Sequence, residues 1–369
     1  MGEVWSADII QRCSAALLSC AALSDRRFTM DTLSHALLGA AIGQCALGRR
    51  TGNQALAAGA VIALIPDIDV AIGHWLGNAA ALTFHRGITH SALFAALLAL
   101  ALGPLLARLI RTGNASWRHW SLLSGLVLAS HLLLDTLTSY GIQLLQPFSD
   151  HSFAIASISV IDPLYTLPLL AAVAVVPWLA RQRRHRNLIA ATGIMLSTLY
   201  LTMTLINKQV VEKQFRHGLD AAGIAYQRLF VKPTMFNNLL WRGIAETDDG
   251  YQVGFFSLRD GGPPHDFIHF HRNGELLDRH REAPLVRDLL AVSGGYYQVI
   301  EENGELLFRD LRYGQAFEWL RDDRPHVFTY RLIIEDGEVV DLETLSLRVD
   351  RERDGETFRA LVARALGGR

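Results

Sequence analysis

The sequence predicts an all-α polytopic membrane domain of about six transmembrane helices, followed by a small soluble α+β domain. Two observations carry this: charge is spread unevenly along the chain, and its first half is built of apolar runs of bilayer length. Of the 71 Asp, Glu, Lys and Arg residues among 369, only 22 precede Asn207: 13 arginines, nine acids and no lysine. The other 49, 22 basic and 27 acidic, fall in residues 207–369. Half the residues are hydrophobic and 19% charged, which excludes a disordered or collagen-like chain. A net charge of −1 and a slightly acidic second half leave no basic surface for phosphate contacts, so nucleic acid is not an expected partner. Cys13, Cys20 and Cys45 form no CxxC spacing and imply no disulfide framework.

Residues 1–29 read as an upstream extension or a weak anchor, because a helical pattern restarts at Met30-Asp31-Thr32-Leu33-Ser34-His35. Apolar spans are then expected at about 31–48, 54–73, 90–110, 119–140, 161–180 and 187–206, each near the roughly 20 residues a bilayer needs. Arginine marks the cytoplasmic loops. Arg49 and Arg50, then Arg108, Arg111 and Arg118, then Arg181, Arg183, Arg184 and Arg186 fall in alternate loops, whereas loops 74–89 and 141–160 hold only Arg86. Trp75, Trp117, Trp120 and Trp178 sit near span ends, where amphipathic rings favour the interface. Six spans place residues 207–369 on the non-cytoplasmic side. There the texture is of strands and turns: Tyr251–Leu258, Tyr296–Ile300, Glu305–Phe308 after Asn303-Gly304, and Val327–Ile334 before Asp336-Gly337.

The few acids of the apolar half recur beside histidines. Asp31 and His35 are four apart and share a helix face; His131 and Asp135 repeat that spacing inside the apolar run 122–137. Asp67 and Asp69 close the second span after Pro66, and His85-Arg86-Gly87-Ile88-Thr89-His90 leads into the third. His85 and His90, five apart, cannot share one helical face, so at least one sits in the loop. The alternating topology brings all these groups to one membrane face, opposite the basic loops. Ionisable groups near a bilayer cost about 2.5–3.5 kcal/mol each on insertion scales, so a cluster needs a common partner. A divalent cation fits. The expected ligand set is Asp31, His35, Asp67, Asp69, His85, His90, His131 and Asp135, holding one or two ions, Zn²⁺ first and Mn²⁺ or Fe²⁺ as alternatives. Arg86 is a candidate oxyanion or phosphate partner and Asp67 a candidate catalytic carboxylate.

The strings Met30-Asp-Thr-Leu-Ser-His35, Pro66-Asp-Ile-Asp69, His85-Arg-Gly-Ile-Thr-His-Ser91, His131-Leu-Leu-Leu-Asp135, Thr138-Ser-Tyr-Gly141 and Pro147-Phe-Ser149 resemble the bacterial family of predicted membrane-bound metal-dependent hydrolases over about residues 30–206. The resemblance implies an inner-membrane protein with metal-dependent hydrolytic chemistry, and it brings no substrate with it.

Structural readings stand beside these. Asp31 also fits a helix cap, and Asp162 before Pro163 reads as a turn residue. His265, Asp266, His269 and His271 of the soluble half read as a structural or surface group rather than a second site. The leading expectation is an integral-membrane hydrolase acting on a phosphoester or related bond of a lipid or lipid-linked substrate. A non-catalytic, metal-stabilised scaffold or regulator is the alternative. A transporter is expected to carry polar groups through the depth of its spans, whereas here they gather at one face.

Overall fold

The structure is a computed structural model that describes residues 30–77, 82, 84–111, 114–179, 184–315, 326–345 and 354–368, without the side chains of Met30, Asp31, Ala71, His74, Leu76 and residues 354–357. Residues 1–29, and with them the reading of an extension or anchor, lie outside the described residues.

The helical half comprises α1 (Met30–Thr51), α2 (Asn53–Ala63), α3 (Ile68–Leu76), α4 (Ala92–Leu109), α5 (Trp117–Leu137), α6 (Pro163–Val175) and α7 (His185–Ala221). Three of these, α4, α5 and α7, are long and apolar enough to cross a membrane. The second expected span differs from a single helix. α2 ends at Ala63, the chain turns through Pro66, and α3 restarts at Ile68. Each piece is about 13–17 Å long by helical rise, well short of the roughly 30 Å of bilayer hydrocarbon. Proline removes a helix hydrogen bond at this point, and the irregular backbone it leaves is where Asp67 sits.

Helix α5 is the hub. Of its most apolar window 56% is buried, against 11% for α4 and 22% for α7. Trp120, Leu123, Val127 and Leu128 form the core with Ile62 of α2 and Ala95 and Ala99 of α4. The outer face of α4 shows Leu93, Leu97, Leu100, Leu105 and Leu109, the surface a lipid-facing helix presents.

Small residues let α1 and α2 touch along their backbones. A Cβ on Gly59 would meet the Gly39 carbonyl oxygen at 2.0 Å, and one on Gly39 the Gly59 oxygen at 2.3 Å. This close approach brings the Pro66 turn, just past α2, against the first turns of α1. At the other end of the bundle Arg186 donates to Gln44 Oε1 (2.9 Å) and Asn53, while Arg50 donates to the Asn114 carbonyl (3.0 Å), so these arginines share one end.

Helix α7 runs about 55 Å by helical rise and leaves the bundle to become the spine of the second half. Its Phe215 packs under Gly243, where a Cβ would approach the ring to 2.4 Å. Two antiparallel four-stranded meanders follow. The first is β1 (Arg228–Pro233), β2 (Leu240–Glu246), β3 (Gly250–Ser257) and β4 (Phe267–His271). The second is β5 (Tyr297–Glu302), β6 (Glu305–Asp310), β7 (Thr329–Glu335) and β8 (Glu338–Leu345). Helices α8 (Pro284–Val292) and α9 (Asp354–Ala365) complete it. The expected turns hold: Asn303 and Gly304 have φ of 53° and 79°, and Asp336 and Gly337 of 51° and 84°, the left-handed pair a two-residue hairpin uses.

The sheet domain docks on the bundle end opposite the arginines. Asn238 donates to the Ser157 carbonyl (2.9 Å), the Phe236 amide to the Ile161 carbonyl (3.0 Å), and the Tyr313 ring lies 5.9 Å from that of Tyr140.

Candidate metal centre

Four elements converge at the docked end. The last turns of α5 carry His131 and Asp135, four residues apart and facing inward. The first turns of α1 carry His35. The break between α2 and α3 carries Asp67, and the first turn of α3 carries Asp69, two residues on. The loop before α4 carries His85 and Arg86, then a short 3-10 turn, Ile88–His90, ending at Ser91, whose Oγ caps α4 by accepting from the Phe94 amide (3.1 Å). Among these side chains His35, Asp69, Arg86, His90, His131 and Asp135 are buried.

Four donor atoms face one another. His131 Nε2 lies 3.2 Å from Asp135 Oδ2, 3.2 Å from His90 Nε2 and 3.7 Å from Asp67 Oδ1. His90 Nε2 is in turn 3.3 Å from Asp135 Oδ2 and 3.6 Å from Asp67 Oδ1. Asp67, His90 and His131 form one group whose donors all lie within 4.8 Å of one another, and His35, His131 and Asp135 form a second that shares His131. An ion held at about 2.0–2.1 Å by four N or O ligands separates them by about 3.3 Å, so two imidazoles and two carboxylates fit a small divalent cation in spacing and chemistry. Asp67 Oδ2 and His131 Nδ1 are buried without a hydrogen-bond partner, which marks the cage as polar beyond what the chain itself satisfies.

The other expected ligands stand around this set. His35 Nε2 lies 3.3 Å from the second oxygen of Asp135, Oδ1, and its ring stacks on His131 with centroids 3.8 Å apart. Asp69 faces away from the cage, holding the His90 ring from behind (Nδ1 to Oδ2, 3.2 Å) while it accepts from the Arg86 amide (2.7 Å) and Thr89 Oγ1 (3.0 Å). Its other oxygen meets His85 Nδ1 at 3.3 Å. Proline-Asp-Ile-Asp thus divides its two carboxylates between the cage and the support of His90. The Asp31 side chain lies outside the described residues.

Arg86 reaches Asp135 Oδ1 (3.2 Å) and Thr138 Oγ1 (3.1 Å) and lies over the Tyr140 ring at 4.9 Å. These contacts make it a clamp on a carboxylate. It adopts a left-handed φ of 59°, uncommon for a side chain of this size, and the bond from its amide to Asp69 helps hold that turn. Three further neighbours, Thr89, Thr138 and Tyr140, are not ligand types in themselves and border the cluster through Asp69 and Arg86. All lie within the quoted strings, and their spacing from the ligands is the signal they offer. Asp162 is a cap: its oxygens accept from the Leu164 amide (3.0 Å) and Tyr200 hydroxyl (2.7 Å).

The sheet domain contributes Tyr313 to this neighbourhood, its ring against Tyr140, which lies 5.0 Å from His85. Burial holds the Tyr313 phenol well above its ordinary pKa, so it stays a neutral hydroxyl.

Fold and site together define a multi-pass membrane protein with a buried His/Asp cluster suited to a divalent metal. Residues 30–211 match the family described as YdjM inner membrane protein, so the helical part of the chain is similar to that family. The chain is also 28% identical over 236 residues to YfhP of Bacillus subtilis (strain 168), described as uncharacterized, covering 61% of this chain and 68% of that protein. That alignment is longer than the family match and runs past it. No solved structure matches. Family and cluster support a metal-binding, hydrolase-like protein of the bacterial inner membrane.

Proposed function

We propose that the chain is a membrane-embedded metal-dependent hydrolase that holds one divalent ion, Zn²⁺ by donor set and spacing, between Asp67, His90, His131 and Asp135. The observation that carries this is the four-donor cage at the end of the bundle where the sheet domain docks. The contacts of His131 with His90, Asp67 and Asp135 all run through Nε2, which supports a single ion, while His35, His131 and Asp135 form a second group of donors beside it. When bound, such an ion supplies Lewis acidity and acidifies water.

The residues around it have separable tasks. Asp69 aims His90 and fixes its tautomer; His35 and Arg86 together hold Asp135 through its outer oxygen. Asp67 is the carboxylate nearest solvent, its side chain 19% exposed, and its unpartnered Oδ2 is placed to accept a proton. His85, 26% exposed against 0–1% for the other three imidazoles, is placed to return one. Arg86 is a positioning residue.

The substrate class is a phosphoester or related bond of a lipid or lipid-linked molecule, because the cage lies at the end of the bundle, at headgroup depth. The arginine-rich end faces the cytoplasm, and cage and sheet domain (residues 207–369) face the other side; a C-terminal alkaline phosphatase fusion should be active and a fluorescent-protein fusion dark. Hydrolysis is tested on full-length protein in detergent against phospholipids and lipid-linked phosphoesters, with His131→Ala as control. Turnover in the wild type alone is expected. The deep burial of His35, His90 and Asp135 favours a second reading, a metal-stabilised scaffold, which predicts bound metal without turnover.

A further inference from the structure

The FIHFH strand of the soluble half acquires a partner in three dimensions. Among the described residues β4 is an edge strand, paired only with β3, and His269 and His271 project from the same face because they are two residues apart. The turn between β2 and β3 brings up Asp249. It comes this close because residue 250 is glycine: a Cβ there would meet the Phe270 carbonyl oxygen at 2.2 Å.

The three side chains present one donor each, all within 4.8 Å of one another. His269 Nε2 lies 3.3 Å from His271 Nδ1 and 3.6 Å from Asp249 Oδ2. Tetrahedral ligation at about 2.0–2.1 Å separates donors by about 3.3 Å, whereas octahedral ligation at about 2.1 Å brings neighbours to about 3.0 Å. The observed spacing suits the tetrahedral ion. The outer atoms of Asp249 and His269 are held as well. Thr247 Oγ1 donates to Asp249 Oδ1 (2.9 Å), which leaves Oδ2 facing the imidazoles, and this bond lowers the Asp249 pKa. The Gln252 amide lies 3.0 Å from His269 Nδ1; turned so that Oε1 accepts from Nδ1–H, it frees the Nε2 lone pair for a metal. His265 and Asp266 are not part of this set.

We propose that Asp249, His269 and His271 form a second metal site, a solvent-facing Zn²⁺ site with its fourth position open, separate from the cage in the membrane half. A bound ion ties the β2–β3 turn to edge strand β4 and covers one end of that edge. The site depends on none of the residues of the membrane cage.

The test is Zn²⁺ stoichiometry on the full-length chain in detergent, by equilibrium dialysis and elemental analysis, for wild type, H269A/H271A, D249N and Q252L. In parallel, the visible spectrum of Co²⁺-loaded protein reports tetrahedral ligation. At saturating free Zn²⁺ the wild type should hold one ion per chain more than H269A/H271A, and the tetrahedral Co²⁺ absorption, to which the membrane cage also contributes, should fall by one site's share in the double variant. D249N, at an exposed turn position, removes a ligand without touching a strand and should weaken this ion even if the double variant folds poorly. Q252L should lower its affinity about 10- to 100-fold, as loss of an orienting partner does. Equal stoichiometry and equal Co²⁺ spectra in wild type, D249N and a folded H269A/H271A overturn the proposal.

Discussion

Replacing Asp69 by asparagine separates a residue that aims a ligand from one that is a ligand. Asp69 receives four groups, His85 Nδ1, the Arg86 amide, Thr89 Oγ1 and His90 Nδ1, at 2.7–3.3 Å, and it is not one of the four cage donors. D69N keeps the shape and one acceptor oxygen, so the Arg86 turn retains a partner. It removes the charge that holds His90 with Nδ1 protonated and Nε2 free. Loss of such an outer partner weakens metal binding about 10- to 100-fold, which is about 1.4–2.8 kcal/mol. The assay is Zn²⁺ competition against a graded series of chelators, on purified full-length protein, beside H131A. D69N should bind the same number of ions as wild type with affinity reduced by that factor, while H131A loses the ion at every chelator strength. If D69N matches wild type, or loses the ion as completely as H131A, the division of the two carboxylates is wrong.

Other perturbations probe separate parts of the account. Gly59→Leu puts a side chain where 2.0 Å separates its first carbon from the Gly39 carbonyl; overpacking of this kind should destabilise the bundle by about 1–3 kcal/mol, read as a lowered Tm in detergent. His326 is buried with neither ring nitrogen hydrogen-bonded among the described residues, and burial, aided by Arg309 and Arg242, pushes its pKa down to about 3. The unfolded chain therefore takes up a proton that the native one refuses. Stability is unaffected above pH 6.5 and falls below it, by about 2–3 kcal/mol at pH 4.5; H326F should remove that part of the acid slope in pH-dependent denaturation. Stripping metal with a strong chelator should lower the wild-type Tm, with about 4 kcal/mol of stabilisation at stake when free metal stands 1,000-fold above Kd. The same treatment should leave the Tm unchanged in a variant lacking both His131 and His269.

Much of this was legible from pattern. His131 and Asp135 stand out because four residues is one helical turn and the run around them is apolar, so two polar groups on one face demand a partner. The hairpins declared themselves through Asn303-Gly304 and Asp336-Gly337, whose residues tolerate positive φ. Other features depend on geometry that no periodicity encodes. Asp67 and Asp69 are equivalent in sequence, yet the break after α2 turns one towards the cage and the other behind His90. His85 and His90 looked interchangeable until the 3-10 turn and the Ser91 cap buried one and left the other partly exposed. Pro66 marks a break inside what reads as one span. Asp249 joins His269 and His271 only through the pairing of β3 with β4, where register, not spacing, sets the neighbour.

The most direct measurement is transition-metal content of the full-length chain, in a His269→Ala/His271→Ala background so that only the membrane cage is counted, with and without His131→Ala or Asp135→Asn. The account predicts one ion per chain, lost in both cage variants while their helical content is kept. A parent that stays metal-free after incubation with Zn²⁺ and Mn²⁺, or cage variants that keep the ion, contradicts it.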